Sequence, residues 1–265
     1  MNKYELTDET KVFYGVTLHR IRALTAVGVL AAAGQLGGWV ESEKNLEQSG
    51  DAWVYGDAWV YGNARVSGDA QVSGNAQVSG NAQVSGDARV YGNAWVYGNA
   101  WVFGDARVSG DARVSGDARV SGDAQVYGNA WVYGNAQVSG DAQVYGNAQV
   151  FGDAQVYGNA RVSGNAQVSG DAWVFGDAWV SKTRHYLLIG PVGSEDRTVT
   201  ICRTRADDTT GHYVQAGCWA GTVDQLAERI TTAWPDLSEK KRARYRGEYE
   251  AVIALARPRI QRWVK

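Results

Sequence analysis

Four residues able to do covalent or metal chemistry, His185, Cys202, His212 and Cys218, lie within one short region of the 265-residue chain. A Cys–His pair can serve as nucleophile and base, and four such ligands can hold zinc. Neither CxxC nor HxxxH spacing occurs among them. All four fall in segments that read as strands, where cysteine is usually a small buried hydrophobe. Chemistry there is disfavoured, and an enzyme with its site in this region is kept only as an alternative. GPVGS, residues 190–194, has glycines that could cradle a phosphate, but no helix clearly follows, so a strand-to-strand turn is the better reading. KKRARYR, residues 240–246, could touch nucleic acid or an acidic partner, with a solvated helix face as the default.

The elements that must position any site are dominated by a repeat. From Gly50 the hexad G-[DN]-A-x-V-x recurs 22 times without a slip, ending at Ser181. In A-x-V, alanine and valine face one side and the middle residue the other. The three residues that follow, such as S-G-D, are corner chemistry, because Gly and Asn/Asp tolerate the left-handed backbone region. A three-residue strand and a three-residue corner make a poor hairpin meander. They make a good triangular coil of three hexads, with Val and Ala filling the prism. An aliphatic residue followed four places later by a small one, as in Val54 and Ala58, resembles the left-handed parallel β-helix of hexapeptide-repeat proteins. The expected fold is therefore mainly β: a left-handed parallel β-helix of about seven coils, with an N-terminal cap and a small C-terminal α+β domain.

Three regions follow: a cap over residues 1–49, the solenoid over 50–181, and the C-terminal domain over 182–265. KVFYGVTLHRIRAL, residues 11–24, reads as a hairpin turning near Tyr14-Gly15, and LGGWVE, residues 36–41, as a degenerate hexad. HYLLIG, RTVTICR and HYVQAGC read as three strands. Thr222 to Gln225 forms a capping-box start for a helix, and Ser238 can cap a second helix whose apolar face holds Tyr245, Tyr249, Val252, Ile253, Ala256 and Ile260. The order LHRIRAL, GQLGGWVESEKNL, GDAWVYG hexads, HYLLIGPVGSEDRT and GCWAGT is similar to a largely uncharacterised family of phage and prophage hexapeptide-repeat proteins. That resemblance implies a phage context and little chemistry.

Left-handed β-helices are best known for acyltransferases, and the resemblance to that fold implies a histidine base, often with a loop inserted into a coil. This solenoid holds no His, Cys, Glu, Lys or Thr, and no insertion. A general base near neutral pH needs a group titrating there, so acyl transfer is rejected. Charge divides by region: five Lys/Arg against six Asp/Glu in the cap, six Arg against twelve Asp in the solenoid, and fifteen against ten in the C-terminal domain. Two cysteines are too few for a disulfide framework, which fits a reducing compartment. Residues 23–40 are uncharged but interrupted by Thr25, Gln35 and glycines, and make a poor membrane span.

The variable outward positions must then carry any specificity. Stacked by threes, one face places Arg113 between Trp95 and Trp131, with Tyr97 and Tyr133 beside them, coils being about 4.8 Å apart. This is either a stacking ladder or a platform for a ligand or partner; exposed aromatic patches favour the platform. One corner stacks Asp51, Asp69, Asp87, Asp105, Asp123 and Asp141, which suggests contact with a basic surface. The expected activity is non-enzymatic binding in the cytoplasm of a bacterial host. The expected partner is a host or phage protein, or a small ligand on the aromatic face, with sequestration of an antiviral-defence component one candidate role. Neither a cofactor nor a metal is expected, nucleic acid and membrane are disfavoured, and a homo-oligomer is expected. A structural virion protein or polymerising scaffold is the second alternative.

Overall fold

The computed structural model describes residues 2–205 and 211–263. Strands β1 (Tyr4–Phe13) and β2 (Val16–Ala23) form the antiparallel hairpin, turning through Tyr14 and Gly15 at positive φ. Strand β3 (Leu36–Val40) pairs antiparallel with β2 on one side. On its other side it pairs parallel with the solenoid, Trp39 opposite Trp59 and Val40 opposite Val60. It is therefore the adapter between hairpin and coil. Two glycines make the adapter possible. A Cβ at Gly37 would lie 2.5 Å from the Ile21 side chain, and one at Gly38 would lie 2.7 Å from the Ala58 carbonyl.

The hexads give 22 two-residue strands, β4 (Trp53–Val54) through β25 (Trp179–Val180), paired in parallel and in register with the strand three hexads on. They line three faces, and the eight-stranded one holds one strand per coil, so the solenoid makes about eight turns rather than seven. The other two faces hold seven hexad strands each, and β3 and Leu46, which bridges in parallel to Val66, supply their eighth rung. The pattern fixes burial without exception: every repeat Ala and Val from Ala52 to Val180 is at most 1 % exposed. Corner glycines hold φ between 59 and 72° along the rod. At Gly116, a Cβ would also lie 2.9 Å from the backbone nitrogen of Gly134. The corner thus requires glycine twice over, for its dihedral and for the close approach of the next coil.

Both ends are covered. At the start, the Lys3 ammonium donates to the carbonyls of Ser49, Gly50 and Ala52, and the Tyr4 hydroxyl to that of Leu46. These are backbone acceptors that a free sheet edge would leave unpaired. At the far end sits a sheet in the order β26 (Tyr186–Val192), β27 (Arg197–Arg203), β28 (His212–Ala216), β29 (Trp219–Gly221), one strand more than expected. Helices α1 (Val223–Thr232) and α2 (Glu239–Ile260) pack on it around Val199, Ile201, Val214, Leu226, Val252 and Ala256. The Thr222–Gln225 capping box forms as expected, whereas Ser238 precedes α2 without a side-chain capping bond. Strand β27 closes the solenoid: Cys202 joins the Ala/Val core, Thr200 Oγ1 accepts from the Trp173 amide at 3.1 Å, and Thr204 bridges to Ala178.

Candidate functional site

The face expected to hold a site assembles in the expected register. Trp95 lies opposite Arg113, and Arg113 opposite Trp131. The Arg113 guanidinium sits 5.9 Å from the Trp95 ring centre, a cation–π contact. Trp131 behaves differently from Trp95. Its indole N–H donates to Ser115 Oγ at 3.1 Å and its ring packs 4.4 Å from Tyr133, which stacks in turn on Phe151. Ser115 is buried beneath it. The Trp131 end of the row is thus a ladder, while Trp95, 44 % exposed, and Arg113 face solvent. Tyr97 lies half-buried alongside.

One expectation needs correction. The residue between Ala and Val is not uniformly solvent-facing, because the caps and neighbouring side chains cover several tryptophans. Trp53 is wholly buried, with Tyr4 against it edge-on at 6.3 Å, and Trp59 lies under Phe13 at 4.7 Å. Apart from Trp173 near the far end, the large aromatics of the rod that remain exposed are organised around it rather than along it. Tyr91, Trp95 and Trp101, 41, 44 and 41 % exposed, belong to one coil, one to each face. The next coil has arginine at the middle position of each of its hexads, Arg107, Arg113 and Arg119, with Asp105, Asp111 and Asp117 exposed at its corners. Arg119 stacks over Trp101 at 5.5 Å as Arg113 does over Trp95. On the third face Arg107 meets Arg89 instead, a pairing of like charges. The signal of this belt lies in the linear order, where YGNAWVYGNAWVF is followed by three identical GDARVS hexads.

The acidic corner is also where the sequence places it, and the structure adds a contrast. Asparagines at the other two corners form side-chain ladders, Asn63 to Asn81 to Asn99 to Asp117 on one and Asn75 to Asn93 to Asp111 on the other, each amide donating to the next coil at 2.9–3.1 Å. A carboxylate cannot donate, so Asp69, Asp87, Asp105 and Asp123 lack this bond and stay exposed. At the first coil Asp69 accepts from the Asp51 amide, and Lys3 lies close enough to act on both carboxylates.

The histidines and cysteines take up structural roles. His185 lies in a one-turn helix (Thr183–His185) and Cys218 in the turn after β28, so neither is in a strand as expected. Burial, aided by Arg203, Arg184 and Lys182, pushes the His185 imidazole down to about 4, and its Nδ1 contacts the Ser181 hydroxyl. Burial pushes the Cys202 thiol well above its ordinary range. His212 Nε2 accepts from the Val223 amide at the start of α1. The basic run is likewise partly used inside the domain: Arg246 donates to the Ile230 and Thr231 carbonyls ending α1, and Arg244 pairs with Glu248.

Six stretches of the solenoid, residues 58–74, 70–86, 82–98, 124–141, 154–167 and 166–182, match the family model described as YdcK Beta solenoid repeat. No curated protein matches the chain. The rod is therefore built of β-solenoid repeats similar to those of that family.

Proposed function

We propose that this β-solenoid repeat protein is a non-enzymatic binding module, and that the aromatic–arginine belt is its contact surface for a protein partner. One observation carries the reading: three of the exposed large aromatics of the rod fall in a single coil, beside a coil with an exposed arginine at the middle position of every hexad. Coil stability does not need them. The coil before them has Gln71, Gln77 and Gln83 at the same positions, with Ser73, Ser79 and Ser85 beside them, and the same buried Ala/Val core. Tyr, Trp and Arg are also the residues that most often dominate binding energy at protein interfaces. The Asp corner supplies an electrostatic element toward a basic surface on the same partner or on a second copy. In the phage setting that the sequence resemblance implies, the partner is a host protein.

The two other readings draw less support. A polymerising scaffold needs an open end, and here the hairpin and β27 occupy both ends. An enzyme in the C-terminal domain has to draw on His185, Cys202, His212 or Cys218, and the first three are engaged in packing or hydrogen bonds, which leaves Cys218 as the exposed thiol.

The test is paired affinity capture from bacterial lysate, using the natural chain and a variant carrying Tyr91→Ser, Trp95→Gln and Trp101→Gln. These substitutions place residues the coil already accepts. A partner held by the natural chain and lost by the variant, with unchanged melting temperature, is the expected result. Equal retention by both would move the contact surface off the belt.

A further inference from the structure

Besides the belt, the molecule contains a partly open pocket that the solenoid does not form. It lies in the C-terminal domain, between the turn after β28, the C-terminal end of α1 and the middle of α2, with a volume of about 370 Å³. That falls in the lower part of the roughly 300–1,000 Å³ range of small-molecule sites. Its floor is apolar, from Leu226 and Ile230, and its walls are the rings of Trp219, Trp234 and Tyr249.

Two independent features point to a ligand. The first is backbone conformation. Trp234 has φ +59°, a region bulky L side chains rarely adopt, and it precedes Pro235, which further restricts it. Stacking holds it there: its ring lies 5.7 Å from that of Tyr249 and 5.8 Å from that of Tyr245. Strained residues fixed in this way concentrate at ligand clamps. The second is charge. Arg229 lines the pocket with its guanidinium over the Trp219 ring at 5.8 Å, and among the described residues no carboxylate forms an ion pair with it. The other pocket arginine, Arg197, is already paired with Glu195 at 3.0 Å.

The geometry points to a binding site for a small planar aromatic anion, its ring held among Trp219, Trp234 and Tyr249 and its carboxylate or phosphate on Arg229. The aromatic walls select the flat ring, and the unpaired guanidinium selects the negative group. The inference is independent of the belt and stands or falls apart from it.

Cys218 makes a direct test possible. It is exposed and lines the pocket, whereas Cys202 is buried, so a thiol reagent on the folded protein reports on Cys218 alone. The rate of reaction with Ellman's reagent would be measured against increasing indole-3-acetate and adenosine 5′-monophosphate, with indole-3-acetamide and adenosine as neutral counterparts. At least one anion should slow the reaction saturably below about 1 mM, the weak end of specific binding, and its neutral counterpart should bind at least tenfold more weakly. Protection by indole-3-acetate alone assigns a carboxylate ligand, and protection by the nucleotide alone a phosphate. Arg229→Gln, on an exposed helix position, should abolish the preference for the anion without altering the fold. Trp234→Phe should keep most of the affinity and Trp234→Gly should lose it. No protection by either anion at that concentration, or equal protection by the neutral molecules, overturns the proposal. So does an Arg229→Gln variant that still prefers the anion.

Discussion

The rod and the C-terminal domain bury their cores by opposite means. In the rod every layer is the same Ala/Val pair, and each residue's neighbours are copies of itself in the coils above and below. In the C-terminal domain no layer repeats: Ile201, Leu226, Val252 and Trp263 come together from four separate segments. A core of identical layers leaves few irregular gaps, because any gap would have to recur in every coil. A core of unlike residues leaves irregular space, and the aromatic pocket beside Trp234 is such a space. The rod is thus suited to present side chains outward and the domain to enclose something.

Substitutions at matched positions can break this comparison. The largest effect is expected in the cores. Ile201→Ala should cost about 2–5 kcal/mol, as is usual for a large buried aliphatic. Val120→Ala should cost about 2 kcal/mol, from two methyl groups at ~0.8 kcal/mol each plus a small cavity. Denaturant titrations of both variants would check the order, and a larger loss at Val120 would mean the rod tolerates defects less well than its repetition implies.

Next come two glycines with similar dihedrals in unlike surroundings. Gly116 and Gly217 have φ of +68 and +60°, but a Cβ at Gly217 meets nothing nearer than the Arg197 side chain at 3.8 Å. Gly217→Ala should show only the left-handed backbone penalty, about 1–2 kcal/mol. Gly116→Ala should exceed that, since the next coil's backbone must also move. Equal losses would show that adjacent coils can separate freely.

A third test uses pH. Burial holds the folded His185 imidazole near 4, whereas the unfolded one titrates near 6.5. Between these values the unfolded chain takes up a proton that the folded one does not. His185 therefore lowers stability as pH falls from about 6.5 to about 4, and has no such effect above 6.5. Thermal melts of the natural chain and His185→Gln across this window should diverge, the natural chain losing more on acidification. Parallel curves would place the acid sensitivity elsewhere.

The smallest effect is expected at the acidic corner. Asp105→Asn removes a charge that repels the exposed Asp87 and Asp123 carboxylates by roughly 0.2–0.5 kcal/mol each, and supplies an amide that can donate to Asp123 as Asn99 does to Asp117. Stability should rise by up to about 1 kcal/mol, raising the melting temperature by roughly 2–4 °C at low salt. A fall would mean the carboxylate already has a stabilising contact.

Much of the fold is legible from local pattern. The two-residue alternation of Ala and Val sets which side chains turn inward, and Gly with Asn or Asp sets the corners. The LGGW adapter, the hairpin turn at Tyr14-Gly15 and the Thr222 capping box also form where their residues predict. These features depend on interactions within a few residues, or on contacts that the period repeats identically.

What the sequence determined by itself is therefore the position of each side chain relative to its own coil: Val54 to Val180 inward, Trp95 beside Arg113, six aspartates down one corner. Only the tertiary structure decided what lies over those positions. Trp53 and Trp95 occupy the same place in the hexad, yet one is sealed beneath Tyr4 and the other faces water, because the hairpin reaches the first coils and not the third. The same holds for the pocket, whose walls at Trp219, Trp234 and Tyr249 come from β29, the connection between the helices and α2, segments that only the folded domain brings together. Exposure and enclosure depend on segments far apart in the chain, and a short repeat carries no information about what will fold back to cover it.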